Sequence, residues 1–294
     1  FVTVYNILSY GEFTMQKKIA AMHDISGFGR CALTTAIPVL AACGLQCCPV
    51  PSAVLSAHTA FKGVTFRDLT DDIDGYIQNW ADIGVKLDGV YSGYLGSARQ
   101  ANQVMALHRM CGKEEGCALI VDPVMGDNGK AYSIVGNPEF IAAMRELCAR
   151  ADVITPNLTE CALLLGMEAD GYTDSRESAL DYMKRLADKG AKRIVVTGMV
   201  EGDQVGAGFY DAESGNSGFV FHKHIPVYYP GTGDLFTSVL TGRLLGHEGC
   251  TLEQAVTDAA HFVRDCAEYT SAQGTPPIEG VQFEKLLSHL TTEA

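Results

Sequence analysis

Short apolar runs alternate with longer stretches of helical periodicity along most of the chain. The apolar runs, which predict strands, cover residues 18–22, 45–50, 89–92, 118–121, 152–155 and 193–197. The stretches that follow each run predict helices over residues 31–43, 69–82, 97–111, 138–149, 159–165 and 176–189. Strands that alternate with helices of this length indicate crossover units, and therefore a largely parallel sheet with helices on both faces.

The last third of the chain departs from this alternation. Residues 205–210 and 219–224 flank a polar turn at 211–216, which predicts an antiparallel hairpin. Helical patterns follow at about 232–246, 252–270 and 282–290. The predicted fold class is therefore α/β, with a central, mostly parallel sheet between two helical layers and a C-terminal antiparallel hairpin.

Nothing in the sequence divides the chain into separate domains. We find no internal repeat, low-complexity run or linker, and we predict a single domain over residues 15–294. The fourteen residues before Met15 differ in composition from the rest. We expect residues 1–14 to be an N-terminal extension or a misassigned start.

Composition and charge exclude several classes of protein. The chain has 294 residues, 47% of them hydrophobic and 19% charged, which is enough to bury a large core. Its formal net charge of −13 disfavours nucleic acid and anionic membrane surfaces as partners. The apolar runs are shorter than the ~18 residues that a membrane span needs. Ten cysteines without metal-ligand spacing indicate reduced, buried thiols, so we expect a cytoplasmic protein.

Small and polar residues follow each predicted parallel strand. In open parallel sheets ligands bind beyond the carboxyl ends of the strands, so this is where a site is expected. The segments concerned are residues 24–27, 51–52, 92–94, 122–123, 156–157 and 197–198.

Residues 27–32, which read GFGRCA, match the layout of the GxGxxA dinucleotide fingerprint. A dinucleotide site also needs an acidic residue about twenty positions later to hold the ribose. Residues 25–67 contain no Asp or Glu. We therefore reject a dehydrogenase, and predict that these glycines let the backbone approach a small ligand.

A second glycine turn, Gly231-Thr232-Gly233-Asp234, directly precedes a predicted helix. Such a turn can point successive N–H groups into one cavity, where the helix dipole also favours an anion. An Asp at its last position can accept the proton of an attacking hydroxyl. A helix N-terminus capped by Asp234 is an equally good interpretation of these four residues.

Oxygen ligands at two neighbouring strand ends favour the first interpretation. Asp122 follows one buried strand, and Asn157 with Glu160 follows another. Mg²⁺ usually takes one or two carboxylates together with substrate phosphates. Asp122 could be a turn residue and Glu160 a first-turn helix charge, but together with the glycine turn they describe an ATP site.

These motifs resemble those of the ribokinase-like small-molecule kinases, and among them the pyridoxal kinases. The GTGD turn and Asn157-x-x-Glu160 are similar to superfamily motifs. Residues 92–97, 122–127 and 56–59 resemble pyridoxal kinases specifically, and the resemblance runs from about Lys18 to Gln273. It implies a ribokinase-like three-layer α/β/α domain. After the first strand, residues 24–29 instead resemble the hydroxymethylpyrimidine kinases of thiamine synthesis.

The resemblance also implies roles for individual residues. Tyr94 would lie near the pyridine ring, with Ser52 or Ser26 bonding its polar substituents, and Asp24 competes with Ser26 for that contact. His58 would line the same pocket, although a loop hydrogen bond explains it as well. On the nucleotide side, the resemblance implies a mobile stretch that begins at Asp127, and Thr197 would touch phosphate or simply cap its strand.

The function implied is ATP-dependent phosphorylation of the hydroxymethyl group of pyridoxal, pyridoxine or pyridoxamine. Asp234 would be the base, the amides of residues 231–234 the anion hole, and Asp122 and Glu160 the link to Mg²⁺. A requirement for K⁺ stays open, and we predict a homodimer. The alternatives are a hydroxymethylpyrimidine kinase, a sugar kinase, and a silent vitamin-binding protein. A nucleotide-turnover assay separates the last of these from the enzymes.

Overall fold

A nine-stranded sheet forms the centre of the fold. The computed structural model describes residues 15–291, so the predicted extension at 1–14 lies outside the described residues. The strands are β1 (Lys18–Ser26), β2 (Gln46–Leu55), β3 (Phe66–Asp68), β4 (Gly89–Ser92), β5 (Ala118–Val121), β8 (Val153–Ile154), β9 (Arg193–Glu201), β10 (Gln204–Asp211) and β11 (Ser217–Lys223), and a separate small hairpin consists of β6 (Gly126–Asp127) and β7 (Lys130–Ala131).

The order across the sheet is β11-β10-β9-β8-β5-β4-β1-β2-β3. The six strands from β9 to β2 run parallel, and the pairs β9–β10, β10–β11 and β2–β3 are antiparallel. This arrangement confirms the predicted mostly parallel sheet with an antiparallel hairpin near its C-terminal end. The interior strands are apolar along their length because both of their faces are covered.

Helices cover both faces of the sheet. One face packs against α1 (Ala32–Ala42), α7 (Thr232–Gly246) and α8 (Leu252–Gln273). The other packs against α2 (Thr70–Asp82), α3 (Ala98–Cys111), α4 (Pro138–Ala149), α5 (Leu158–Leu165) and α6 (Arg176–Asp188). Short 3-10 turns at Ser133–Gly136, Pro277–Glu279 and Glu284–Leu290 complete the elements. Within residues 15–291, no helix is both long and apolar enough to cross a membrane.

The strands β1 and β2 both extend beyond the runs that the sequence pattern predicts, and this corrects the placement of three candidate residues. Asp24 and Ser26 lie inside β1, and Ser52 lies inside β2, rather than in loops after these strands. Pairing between β1 and β2 continues to the register Ser26↔Leu55, which holds both segments extended. Pro49 and Pro51 of β2 lie where β3 does not pair with it, and a strand tolerates proline at an unpaired edge.

Other differences concern elements that have no hydrophobic pattern. The sequence did not predict β3, whose three residues are all exposed. Thr197 lies within β9 rather than after it, because β9 continues in antiparallel pairing with β10 beyond its parallel contact with β8. The small hairpin β6–β7 was also missed. Its loop consists of Asn128 and Gly129. Both residues have positive φ, as in the turns that join hairpin strands through a two-residue loop.

The order in which successive strands are added to the sheet changes side between β1 and β4. From β1 the chain goes to β2 on one side, and all later parallel strands lie on the other side. A reversal of this kind opens a crevice beyond the carboxyl ends of the two strands, which is where open α/β sheets bind ligands. The crevice lies between the end of β1, with Asp24 and Ser26, and the end of β4, which is followed by Gly93 and Tyr94.

Candidate active site

The N-terminus of α7 faces the crevice. Gly231 is the N-cap residue, with φ of 81° and no side chain to cap the helix, and Thr232, Gly233 and Asp234 form the first turn. Asp234 is therefore the third residue of the helix and not its N-cap, so the capping interpretation is wrong. The amides of this first turn lack partners within the helix, which leaves them available to an anion.

The two glycine turns pack against each other. A Cβ atom on Gly231 would stand 2.0 Å from the carbonyl oxygen of Arg30, which precedes α1. Only glycine allows so close an approach in this conformation. The contact brings the N-termini of α1 and α7 to the same point, and the backbone N–H of Ala32 donates to the Asp234 carboxylate. The sequence shows both glycine turns but not that they meet.

Burial raises the pKa of Asp234 to about 7, with a smaller contribution from the nearby negative charge of Asp24. This value lies near neutral pH, where a general base is most effective. The Ala32 residue that donates to Asp234 has φ of 47°, which is uncommon outside glycine. Strained backbone of this kind clusters at functional sites.

Asp122 lies at the end of β5, on the same side of the sheet as Asp234. Burial raises its pKa well above the usual range, and the charges of Glu160 and Asp234 add to this effect. Its carboxylate accepts a hydrogen bond from the Val124 backbone N–H, and the neighbouring Thr237 hydroxyl donates to the Thr155 hydroxyl at 2.9 Å. Val124 has φ of 43°, an outlier for a β-branched residue. Both Asp122 and Asp234 are thus bonded by a strained amide.

Glu160 is fixed by backbone amides at the start of α5. Its Oε2 accepts from the Asn157 N–H at 2.9 Å and its Oε1 from the Met125 N–H at 2.9 Å. In return the Asn157 Oδ1 accepts from the Glu160 N–H at 3.0 Å, which completes a capping box. Burial raises the pKa of Glu160 to about 7 even though these hydrogen bonds favour its charged form.

Asn157, Asp127 and Thr197 lie around this capping box. The Asn157 Nδ2 donates to the Gly126 carbonyl at 2.8 Å, and Asn157 pairs with Thr197 in an isolated parallel bridge. Asp127 follows Gly126 in the hairpin β6–β7, and burial raises its pKa. The hairpin is also held by the Gly129 N–H, which donates to the Thr159 hydroxyl at 2.9 Å. The stretch that begins at Asp127 is therefore anchored on α5.

The candidate substrate-binding residues come together on the other side of Asp234. The Ser26 hydroxyl donates to the Asp24 Oδ2 at 2.9 Å, and the Ser52 hydroxyl donates to the Tyr94 carbonyl at 3.0 Å. Tyr94 is about half-buried, and its pKa is raised by burial and then by the charge of Asp24. Burial also raises the pKa of Asp24. Asp24 thus lies between this group and Asp234.

Both ring nitrogens of His58 engage backbone groups. Its Nε2 lies 2.7 Å from the Ile278 carbonyl, and its Nδ1 lies 3.3 Å from the Ala60 N–H. These partners assign the proton to Nε2. A Cβ atom on Gly29 would overlap the imidazole, at 2.1 Å from Cδ2, so the first glycine turn packs directly on His58. The loop hydrogen bond predicted as an alternative is present, and a contact with substrate stays a prediction.

Sequence reasoning missed three residues that surround the two aspartates. His23 and Tyr91 lie fully buried within β1 and β4, and Thr237 lies one turn along α7 from Asp234. The Tyr91 hydroxyl lies 3.4 Å from the Asp234 carbonyl and 3.4 Å from the Ser238 hydroxyl. The available signal was a polar side chain within or next to an apolar run, which alone does not distinguish a site from a satisfied core residue.

The carboxylates form a continuous row across the sheet edge. The charge of Asp24 raises the pKa of Asp234, the charges of Asp234 and Glu160 raise the pKa of Asp122, and the charge of Asp127 raises the pKa of Glu160. Burial is the largest cause of the raised pKa of each of the five. A row of buried acids next to an amide-rich helix N-terminus is suited to a ligand that brings both negative phosphates and cations.

Comparison with known proteins identifies relatives of the whole chain. A family model described as phosphomethylpyrimidine kinase matches residues 78–278. A pyridoxal kinase from Actinobacillus pleuropneumoniae is 30% identical over 233 residues, which is 74% of this chain and 77% of that protein. A crystal structure of a Bacteroides thetaiotaomicron protein assigned to the phosphomethylpyrimidine kinases, determined with pyridoxal, is 38% identical. It covers 94% of this chain and 96% of its own, with a TM-score of 0.85.

A crystal structure of pyridoxal kinase from Lactobacillus plantarum is 30% identical and covers 94% of this chain and 97% of its own, with a TM-score of 0.83. The fold and these relatives define the class as small-molecule kinases of the ribokinase-like fold. The chain belongs to the phosphomethylpyrimidine kinase family. The resemblance to pyridoxal kinases, expected from the motifs, is confirmed by the relatives of that name.

Proposed function

We propose that the protein transfers the γ-phosphoryl group of ATP to the hydroxymethyl group of pyridoxal, pyridoxine or pyridoxamine. The observation that carries this proposal is the position of Asp234. Its carboxylate lies at the first turn of α7, between the Asp24 group and the pair Asp122 and Glu160. A base in this position can reach a substrate hydroxyl on one side while phosphates occupy the other.

The residues of the α7 turn have separate roles in this proposal. Asp234 accepts the proton of the hydroxymethyl group, and the amides of Gly231, Thr232, Gly233 and Asp234 receive the charge that develops on the phosphoryl oxygens. A pKa of about 7 leaves a substantial fraction of Asp234 ionised at neutral pH. Asp24, Ser26, Ser52, His58 and Tyr94 hold the vitamer.

The residues on the nucleotide side fit a divalent cation that is held mainly by phosphate. Asp122 and Glu160 are buried carboxyls, and the charge of Glu160 raises the pKa of Asp122, so a cation beside them relieves an unfavourable pair. Among residues 15–291, no cluster of three or more His, Cys, Asp or Glu is placed to bind a metal. Two carboxylates are what Mg²⁺ uses when phosphates complete its shell. Bound there, Mg²⁺ supplies charge neutralisation to the phosphates.

Glu160 would act on this cation through water rather than by direct contact. Each of its oxygens already accepts one backbone N–H, which fixes their direction. Asn157, Asp127 and Thr197 complete the nucleotide side of the proposed site. A requirement for K⁺, a homodimeric assembly and a cytoplasmic location stay predictions from the sequence.

A hydroxymethylpyrimidine substrate is the second candidate. The description of the matching family model and the residues Asp24 to Gly29 favour it. The B. thetaiotaomicron protein assigned to the phosphomethylpyrimidine kinases was nevertheless crystallised with pyridoxal, at 38% identity to this chain. Together with the relatives named pyridoxal kinase, this supports the B6 vitamers as the substrate.

A substrate panel tests the proposal directly. The purified protein is incubated with ATP, Mg²⁺ and each of pyridoxal, pyridoxine, pyridoxamine and hydroxymethylpyrimidine, and kcat/KM is measured for each. We expect the highest kcat/KM for one of the three vitamers, with the strongly impaired Asp234→Asn variant as the control. A higher value for hydroxymethylpyrimidine than for every vitamer would overturn the proposal in favour of the second candidate.

A further inference from the structure

A buried histidine next to Asp234 has no hydrogen-bond partner. His23 lies in β1, its side chain is 0% exposed, and neither ring nitrogen is within hydrogen-bond reach of another group of residues 15–291. A buried polar group that lacks a partner lowers stability, and such groups are rare in native proteins. An apolar residue would avoid this cost at the same position, so the imidazole calls for an explanation beyond packing.

The orientation of the His23 ring is fixed by its neighbours. The ring packs edge-to-face on Tyr91, with centroids 4.3 Å apart and an interplanar angle of 81°. On another side it packs on Gly93, where a Cβ atom would stand only 2.2 Å from the Nδ1. Position 93 therefore accommodates the ring only because it is glycine. In this orientation Nδ1 lies 3.9 Å from the Oδ1 of Asp234.

The charge state of His23 determines what it can offer. Burial lowers its pKa to about 3, so the ring is neutral at physiological pH and cannot form an ion pair with Asp234. A neutral imidazole carries one N–H, on Nδ1 or on Nε2. With the proton on Nδ1, the ring presents a donor to the carboxylate across a gap about 1 Å longer than a hydrogen bond. A rotation of the carboxylate can close that gap without moving the ring.

We propose that His23 is a positioning residue for phosphoryl transfer: its neutral Nδ1–H holds the Oδ1 of Asp234, and so directs Oδ2 to the substrate hydroxyl. This inference rests on the proposed function. His23 itself exchanges no proton and does not touch the reacting atoms. It selects one orientation of the base and stabilises the ionised form of that base.

The transfer step balances with Asp234 as the only protein group that gains a proton. The hydroxyl proton moves to Oδ2 of Asp234, and the hydroxyl oxygen forms a bond to the γ-phosphorus. The bond from that phosphorus to its bridging oxygen breaks, and the electron pair leaves with ADP. Throughout this step the Nδ1–H of His23 stays on the ring and keeps Oδ1 from competing for the substrate.

Titratable and polar groups other than His23 also lie close to Asp234. Asp24 on β1 raises the pKa of Asp234, and Asp234 in turn raises the pKa of the Asp122 carboxyl after β5 and of the Cys31 thiol at the start of α1. The Tyr91 hydroxyl contacts the backbone carbonyl of Asp234, not its carboxylate. Within the described part of the chain, the backbone N–H of Ala32 and the imidazole of His23 are the groups that face this carboxylate as donors.

Three variants separate positioning from packing. His23→Phe keeps a ring of similar size without a donor. His23→Asn places its amide near the position of Nδ1, whereas His23→Gln places its amide near the position of Nε2. For His23→Phe we expect kcat to fall about tenfold and the acid limb of kcat to move about one pH unit upward, the scale of one hydrogen bond to a charged group. KM for ATP stays unchanged, and His23→Asn recovers more activity than His23→Gln.

A wild-type pH profile in His23→Phe, or equal activity in the Asn and Gln variants at equal melting temperature, would overturn the proposal. The wild-type protein provides a measurement that does not depend on how the variants fold. Nitrogen-15 NMR should show the neutral His23 ring with its proton on Nδ1, and a proton on Nε2 would contradict the inference. If the wild type itself fails to phosphorylate any B6 vitamer, the proposed function fails, and the NMR result still tests the contact.

Discussion

Asp234 and Glu160 occupy the same position in two different helices. Each is the third residue of its helix, and burial raises the pKa of each to about 7, although Glu160 is buried whereas the Asp234 side chain is 18% exposed. Their hydrogen bonds differ. Glu160 is held by backbone N–H groups on both of its oxygens within a capping box. The helix of Asp234 begins at a glycine that has no capping side chain, and within residues 15–291 the Asp234 carboxylate accepts only from the Ala32 N–H.

The difference indicates which carboxylate can react. A carboxylate that accepts a hydrogen bond on each oxygen keeps a fixed orientation, and protonation would cost it part of this stabilisation. These properties suit a group that holds water or a metal ion in place. A carboxylate with few donors is a better base at the same pKa because it has a free oxygen to offer the substrate. The comparison assigns the proton transfer to Asp234 and the orientation of the nucleotide side to Glu160.

The largest expected effect is that of Asp234→Asn on turnover. The amide keeps the shape of the side chain and cannot accept the hydroxyl proton, so we expect kcat to fall roughly 10²–10⁴-fold. ATP binding, measured by calorimetry, serves as the control and stays near the wild-type value. Near-normal turnover in this variant would contradict the assignment of the proton transfer to Asp234.

The pH dependence of kcat/KM for the vitamer gives the next largest effect. Asp234 must be ionised to act as a base, and its pKa in the free protein is raised to about 7. Activity therefore reaches its plateau above pH 7 and falls as the pH is lowered. At pH 5 we expect about a 100-fold loss, tenfold for each pH unit. An acid limb centred near pH 4 would show that Asp234 titrates normally.

Glu160→Gln should change the Mg²⁺ requirement of the reaction and not the proton transfer. Loss of the charge weakens the hold on Mg²⁺, and we expect the concentration of Mg²⁺ at half-maximal activity to rise roughly tenfold. Titration of activity with Mg²⁺ measures this change, with Asp234→Asn as the matched control, since its residual activity should show the wild-type Mg²⁺ curve. An unchanged metal curve with altered vitamer affinity would place Glu160 in the other half of the site.

The smallest effect concerns stability. Because the pKa of Asp234 is higher in the folded than in the unfolded protein, the free energy of unfolding falls as the pH rises from about 4 to about 7, and it levels off above pH 7. Asp234→Asn should therefore raise the free energy of unfolding by roughly 1–3 kcal/mol at pH 8, and by much less near pH 4.

Urea denaturation of the ligand-free protein at the two pH values tests this prediction. We expect Glu160→Gln to gain less free energy of unfolding at pH 8 than Asp234→Asn does. The Gln amide accepts hydrogen bonds only at its oxygen, so one of the two backbone N–H groups would face its NH₂ group. A loss of stability in Asp234→Asn at pH 8 would mean that the carboxylate stabilises the α7 N-terminus more than its burial costs.

Much of the fold was predictable because it depends on hydrophobic periodicity. The helices α2, α3, α4 and α7 begin and end within one residue of the predicted bounds. The ends of β1 and β2 were not predictable, because polar residues or proline interrupt the apolar runs there, at His23 and Asp24 in β1 and at Pro51 and Ser52 in β2. Pairing of the two strands with each other nevertheless keeps both extended. The strand β3 and the hairpin β6–β7 were missed for a similar reason, since three exposed residues or two-residue strands carry no hydrophobic pattern.

The sequence by itself determined the sheet class, the two glycine turns and the presence of carboxylates after the strands, because each of these is a local pattern of residue types. Only the tertiary structure decided that the two turns meet, that Ala32 donates to Asp234, and that His23 faces the same carboxylate. The strand order places β1 beside β4, and α1 beside α7 on the same face of the sheet. These contacts join residues up to about two hundred positions apart, and a long-range contact leaves no periodic signal in the sequence.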